Sequence, residues 1–264
     1  MSQAGTMTGR DEFMRRIAGR LGRTEPLSTA PQRTSQGVPE FYGDLRLNKE
    51  EKLQMFIRNW TALTGKVWVV PREEAQSGIR QCLQEVLVEQ GVTKVSRWDH
   101  PQLNRLELDS WLAEEGVKVV PWSGDQPANG GTDPAHEWKP ATHASGPNWA
   151  QRSALLRQTE QCQLGMVWPE YAVANSGTLV LLSQGGSGRS VSLLTNILFA
   201  VFHADQLVSR MGEAFAGIRE AYPGMKDLPS SINLITGPSR SADIENDLTI
   251  GIHGPGKVCA VILE

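Results

Sequence analysis

Four stretches of this chain set glycines beside hydroxyls, a cation or a histidine, and all lie in its C-terminal half. The first, Asn175-Ser176-Gly177-Thr178, leads into the apolar run 179–182. A turn of small residues before a strand lets backbone and hydroxyl groups approach a ligand closely. The second, Gly185-Gly186-Ser187-Gly188-Arg189-Ser190, has the composition of an anion nest. Its backbone N–H groups would face the anion, and Arg189 would add a charge with paired donors. The same composition also suits a plain hairpin loop. The third runs from Gly251 to Gly256 and sets His253 in a Gly/Pro turn, within reach of a ligand. Imidazole titrates near neutral pH and suits proton transfer, or else a hydrogen bond to its own loop.

The fourth is Thr236-Gly237-Pro238-Ser239-Arg240-Ser241-Ala242-Asp243-Ile244-Glu245, after the strand-like residues 232–235 and before an expected short helix. Hydroxyls, free backbone and Arg240 at the exit of a strand suit a phosphate or carboxylate. Asp243 and Glu245 could instead cap the turn or pair with Arg240. Together these segments predict one anion pocket at the C-terminal ends of the strands. Ser176, Gly177, Thr178, Gly188, Arg189, Gly237, Ser239, Arg240, Ser241 and Asp243 would line it, and His253 would carry the proton. The ligand would be a small carboxylate or phosphate. Residues 192–196 read only as a link between strands.

The elements that must position these residues are legible from periodicity. Residues 172–204 carry one charged side chain, Arg189, which indicates buried central strands and their connecting loops. Upstream, Asn48 with Glu51 forms a capping-box pattern, and Leu53, Phe56, Ile57, Trp60 and Leu63 form one helical face. Gly65 ends that helix before a short strand at 67–70. A second helix is expected over 73–90, strands at 92–98 and 117–120, and a helix around Leu103, Leu106 and Trp111. Alternation of this kind predicts an α/β fold with a largely parallel sheet. No GxGxxG follows the first strand, so the dinucleotide fingerprint is absent there.

Residues 9–22 form a separate amphipathic pattern, with Phe13, Ile17 and Leu21 on one side and Arg15, Arg16 and Arg20 on the other. Such an arm either docks on its own domain or grips another protein. The stretch 24–43, with three prolines, reads as a tether. Residues 1–45 are thus expected to be arm and linker, and 46–264 one domain. A Gly/Pro/Trp-rich insertion at about 121–149 holds Trp122, Trp138 and Trp149 among His136 and His143, and reads as a lid or a surface loop.

Composition excludes several functions. The 264 residues carry a formal charge of −3, without the basic excess that binds a nucleic-acid backbone. Apolar runs reach six residues (197–202), against roughly 20 for a membrane span. Met1 begins no secretory pattern, so a cytoplasmic location is expected. Cys82, Cys162 and Cys259 form no CxxC pair, so no metal or iron–sulfur centre is expected on this chain.

The segments NSGTLVLLS, GRSVSLL and INLITGPSRSADIENDLTIGIHGP together resemble the LUD-domain family, and FMRRIAGRLGR resembles its N-terminus. The resemblance implies a three-layer α/β/α sandwich akin to the ribose-phosphate isomerase and CoA-transferase group. It also implies a role in oxidising L-lactate to pyruvate, beside two other subunits that carry iron–sulfur clusters. One departure stands out: relatives often have an acidic residue immediately before the SGT motif, and here it is Asn175. An amide cannot serve as a carboxylate nucleophile or base. Two other readings stay open, a self-sufficient isomerase or acyl-transfer enzyme and a non-catalytic assembly or regulatory factor.

Overall fold

Asn48 opens the first helix of the domain by accepting from the Glu51 N–H, while the Glu51 carboxylate accepts from the Asn48 N–H. This reciprocal cap satisfies two backbone donors and fixes where the helix begins. A computed structural model describes residues 9–29, 47–122, 154–223, 227–242 and 248–264. The chain divides into two units, Met1–Leu45 and Arg46–Glu264. In the first, α1 (Arg10–Arg20) carries Asp11 and Glu12 in its first turn and Arg20 in its last, in accord with the helix dipole.

In the second unit, α2 (Lys49–Ala62) buries Leu53, Phe56 and Trp60. The Phe56 and Trp60 rings stack 5.5 Å apart. Gly65 follows because a Cβ there would fall 2.4 Å from the Trp60 indole nitrogen. Next come β1 (Lys66–Val70), α3 (Ala75–Gln90) and β2 (Lys94–Trp98). The one helix expected around Leu103 and Trp111 is two, α4 (Pro101–Asn104) and α5 (Leu108–Glu114). The break falls at Glu107, whose φ of 48° cannot continue a right-handed helix. After β3 (Lys118–Trp122), residues 123–153 lie outside the described residues, and with them nearly all of the expected insertion, including Trp138, Trp149, His136 and His143.

The chain continues through α6 (Ala154–Glu160), β4 (Leu164–Val167), β5 (Tyr171–Val173), β6 (Thr178–Ser183), α7 (Ser190–Leu193) and β7 (Ile197–His203). It ends with β8 (Leu207–Val208), α8 (Met211–Ala221), β9 (Ser231–Ile235), β10 (Arg240–Ala242), β11 (Leu248–Ile250) and β12 (Lys257–Leu263). Six strands form one wholly parallel sheet in the order β1-β12-β7-β4-β2-β3, flanked by helices. This is the α/β class expected. Buried residues fill β6 and all of β7 but His203, which is why the sequence of residues 172–204 is nearly free of charge.

A smaller mixed sheet, β8-β5-β6-β9, carries the SGT motif at its β5–β6 turn. Helix α8 covers it through Ala214 and Ile218, packed with Val173, Val180 and Leu182. Two local expectations are corrected. Residues 243–247 lie outside the described residues, and where a short helix was expected after Glu245 the chain next forms strand β11, paired antiparallel with β10. Residues 192–196 do more than link strands: Thr195 Oγ1 donates to the Val191 carbonyl, and that carbonyl lies 1.9 Å from where a Cβ on Gly165 would stand. Gly165 lets α7 press directly on β4.

The connections reverse direction once within the large sheet. From β2 the chain steps outward to the edge strand β3, then returns to the other side of β2 as β4 and proceeds inward through β7 and β12. The strands β2 and β4 therefore flank the switch point, where the connections leaving their carboxyl ends run in opposite directions.

Candidate functional site

The residues expected to form one pocket fall in distinct places. Ser176, Gly177, Thr178, Gly237 and Arg240 gather against the C-terminal end of α2. The hydroxyls form a chain, Ser176 Oγ to Thr178 Oγ1 at 2.8 Å and Thr178 Oγ1 to Thr236 Oγ1 at 2.8 Å. Asn59 donates its side-chain amide to the Ala174 carbonyl at 2.8 Å, and Arg240 Nη2 donates to the Leu63 carbonyl at 2.9 Å. Gly177, at φ 59°, brings the β5–β6 turn so close that a Cβ would fall 2.9 Å from the Trp60 backbone nitrogen. The bonds of Asn59 and Arg240 fasten two turns to the end of α2, and Arg240 supplies a donor where a helix end leaves carbonyls unpaired.

Ser239 ties this region to the histidine turn. Its N–H donates to the Pro255 carbonyl at 2.8 Å, its carbonyl accepts from the Gly251 N–H at 2.9 Å, and its side chain packs on Gly254. Ser241 pairs with Thr249 in the β10–β11 hairpin, and Asp243 lies outside the described residues. The Gly256 N–H in turn donates to the Asn196 carbonyl, immediately before β7. These loops border the starts of β1, β7 and β12. They occupy the N-terminal edge of the parallel sheet, so the expectation that all the segments converge at the C-terminal ends is incorrect. The reason is topological: β9 runs antiparallel to β6, so its exit returns Thr236 to the beginning of β6.

The segment 185–189 does lie at the C-terminal edge, and it is no free hairpin. The Asp99 N–H donates to the Gly186 carbonyl at 3.0 Å, and Trp98 Nε1 donates to the Gly188 carbonyl at 2.9 Å. A Cβ on Gly188 would lie 2.0 Å from the Trp122 ring, so only glycine fits beneath that indole. Beyond it, Arg189 and His253 line one surface cavity of about 350 Å³ beside α7. Ser190 adds a hydroxyl, and Leu156, Leu193, Leu194 and Ile252 form its apolar side. Arg240 is not among the residues lining it. Of the expected pair of arginines, then, one lines this cavity and the other caps a helix.

The C-terminal edge also presents a group that the sequence reading passed over. Three adjacent strands deliver three rings in a row: His203 ends β7, Trp168 follows β4 by one residue and His100 follows β2 by two. Trp168 is buried, with the His100 ring stacked on it at 5.9 Å and the His203 ring edge-on at 5.0 Å. Gln102 N–H donates to His100 Nδ1, which leaves Nε2 to carry the proton of the neutral ring. Burial holds the His100 pKa below its ordinary value. Burial does the same for His203, assisted by the Arg72 guanidinium and opposed by Asp205. Asp205 receives both Lys49 and Arg72, and those bonds hold its carboxyl down to about 2. Burial pushes the Glu170 carboxyl up. The legible signal was a histidine or tryptophan at or within two residues of the end of each strand.

Among the described residues, no three or more His, Cys, Asp and Glu side chains group so as to hold a metal ion. All three cysteines are buried, and burial pushes the Cys82 and Cys162 thiols up to about 11 and Cys259 up to about 12. No helix among the described residues is long and apolar enough to cross a membrane.

This fold and these loops fall almost wholly within one known class: the chain belongs to the LUD domain family, whose model matches residues 53–263. Within that class it is similar end to end to proteins named Lactate utilization protein C. That of Halalkalibacterium halodurans is 29% identical over 97% of each chain. That of a Geobacillus species is 30% identical over 100% of this chain and 99% of its own, and that of Bacillus subtilis 31% over 98% of each. A crystal structure of a DUF162 family protein from Deinococcus radiodurans shares the fold. Its TM-score is 0.52 at 15% identity, covering 83% of this chain and 100% of that one.

Proposed function

We propose that this chain is a cytoplasmic subunit of an L-lactate utilisation system and contributes to oxidation of L-lactate to pyruvate with iron–sulfur partner subunits. The observation that carries the proposal is similarity over essentially the full length, at about 30% identity, to proteins named Lactate utilization protein C. Conversion of lactate to pyruvate releases two electrons and two protons. The cysteines described above are buried and their thiols pushed up, which supports placing the electron carriers on the partner subunits.

In this reading the cavity beside α7 binds a small carboxylate or phosphate. The Arg189 guanidinium supplies paired donors matched to such an anion, Ser190 orients it, and His253 is the proton carrier. In the same reading residues 1–45 serve as an arm and linker, and residues 46–264 form the domain. Deleting the gene tests the role: loss of growth on L-lactate with intact growth on pyruvate supports it. Unimpaired growth on L-lactate, in a strain without a second gene of this kind, rejects it.

A further inference from the structure

We propose that the cavity beside α7 takes a monocarboxylate whose apolar chain is longer than that of lactate. Its head would lie at Arg189 and its chain along Leu193 and Leu194. This rests on the reading that the cavity binds a small anion, and it names the class of that anion.

Arg189 and Leu194 cap α7 at its two ends, and both have right-handed helical backbone, so residues 189–194 share one helical phase. The Leu194 N–H donates to the Ser190 carbonyl at 2.9 Å, which closes the same turn. Residues four apart lie on one helix face, which aligns Arg189 with Leu193 and Ser190 with Leu194. One strip of surface thus has a polar end and an apolar end, separated by one turn of about 5.4 Å. Leu156 of α6 and Ile252 of the histidine turn extend the apolar end. Two of these four aliphatic residues are open to solvent, Leu194 at 36% and Ile252 at 59%. Open aliphatic side chains around a cavity are surface that a ligand with an apolar chain would cover.

Size points the same way. A water molecule's share of liquid volume is about 30 Å³, so a cavity of about 350 Å³ holds roughly a dozen non-hydrogen atoms. L-Lactate would fill roughly half of that and set a single methyl against four aliphatic side chains.

Charge selects the head group. Among the described residues, no carboxylate lines the cavity, and the Arg189 guanidinium makes no hydrogen bond or ion pair. Asp99, whose N–H donates to the Gly186 carbonyl, does not line it, and its carboxylate accepts from the Asn104 side-chain amide. One guanidinium matches one carboxylate through paired donors, whereas a phosphate dianion calls for more positive charge than the lining supplies. The floor is also fixed in advance, because Thr195 bonds to the Val191 carbonyl and Gly165 lets α7 press on β4. Such preorganisation lowers the entropic cost of binding.

The test uses the full chain and follows the His253 imidazole signal by NMR, assigned through H253Q. The probes are acetate, butanoate, hexanoate, L-lactate, inorganic phosphate and hexan-1-ol. A fully buried methylene strengthens binding about fourfold, so even at half burial hexanoate should bind at least about tenfold more tightly than acetate. Hexan-1-ol, which lacks the charged head, should bind at least about tenfold more weakly than hexanoate, and R189A should weaken hexanoate about tenfold. L194N and I252N, both at exposed positions, should lower the hexanoate-to-acetate ratio about threefold and leave acetate unchanged. Equal midpoints for acetate and hexanoate, both weakened in R189A, overturn this inference and leave the anion reading standing. A His253 signal that stays fixed up to on the order of 10 mM of every acid overturns both. A ratio unchanged in L194N and I252N, or phosphate binding more tightly than hexanoate, also overturns the inference.

Discussion

His100 lies nearly parallel to Trp168, with ring centroids 5.9 Å apart and planes 10° from coplanar. The partners come from different strands, and His203 meets the same indole from a third. Burial favours the neutral form of both imidazoles. Their folded pKa values lie below the ordinary 6.5, so the unfolded chain takes up protons first as pH falls. The stability they support is complete above the unfolded value and is lost as pH falls through the folded values. Urea midpoints measured from pH 8 to pH 5 are expected to fall on the acid side, with a shallower fall in the H100Q/H203Q double variant. An equal slope in both proteins contradicts the assignment.

The two arginines separate by what their loss does. Arg189→Ala removes a cavity-lining side chain and leaves the described core intact, so thermal unfolding is expected to stay unchanged while complementation of growth on L-lactate fails. Arg240→Ala removes the donor to the Leu63 carbonyl at the end of α2. It is expected to cost up to about 1 kcal/mol of stability, the usual net value of one such bond, and to complement growth. Denaturation and growth curves of the two variants read both effects.

Glycine substitutions discriminate packing from freedom. Gly165→Ala would set a methyl 1.9 Å from the Val191 carbonyl oxygen, a backbone atom that cannot swing aside. The expected loss is about 1–3 kcal/mol, as for other overpacked sites. Gly212→Ala in α8 meets nothing within 4 Å and is expected to stabilise by up to about 1 kcal/mol through helix propensity. Chemical denaturation of the two proteins checks the contrast.

The thiols are expected to be silent in the native state. With Cys82 and Cys162 pushed up to about 11 and Cys259 to about 12, little thiolate exists at pH 8, and all three are buried. A chromogenic disulfide reagent should report no rapid reaction in native buffer and three reactive thiols in guanidinium chloride. A fast native reaction contradicts the packing.

The alternation of apolar runs revealed the parallel sheet because β4, nearly all of β7 and residues 258–263 of β12 are buried on both faces and carry no charge. Asn48 and Glu51 marked the start of α2 because capping is local chemistry. The site was less legible. Hydroxyls and arginines at loops look alike whether they meet a ligand or a helix end, and only the antiparallel course of β9 places Arg240 at Leu63. Nor does spacing show that His100, Trp168 and His203 meet, since adjacency in the sheet, not in the chain, brings them together.

The most direct test of the central claim is pyruvate formation from L-lactate in extracts of a strain that lacks this gene and every other L-lactate-oxidising enzyme except the proposed partners. The account predicts that pyruvate formation is lost and that adding the purified chain restores it. Pyruvate formation at the parental rate without the chain would contradict it.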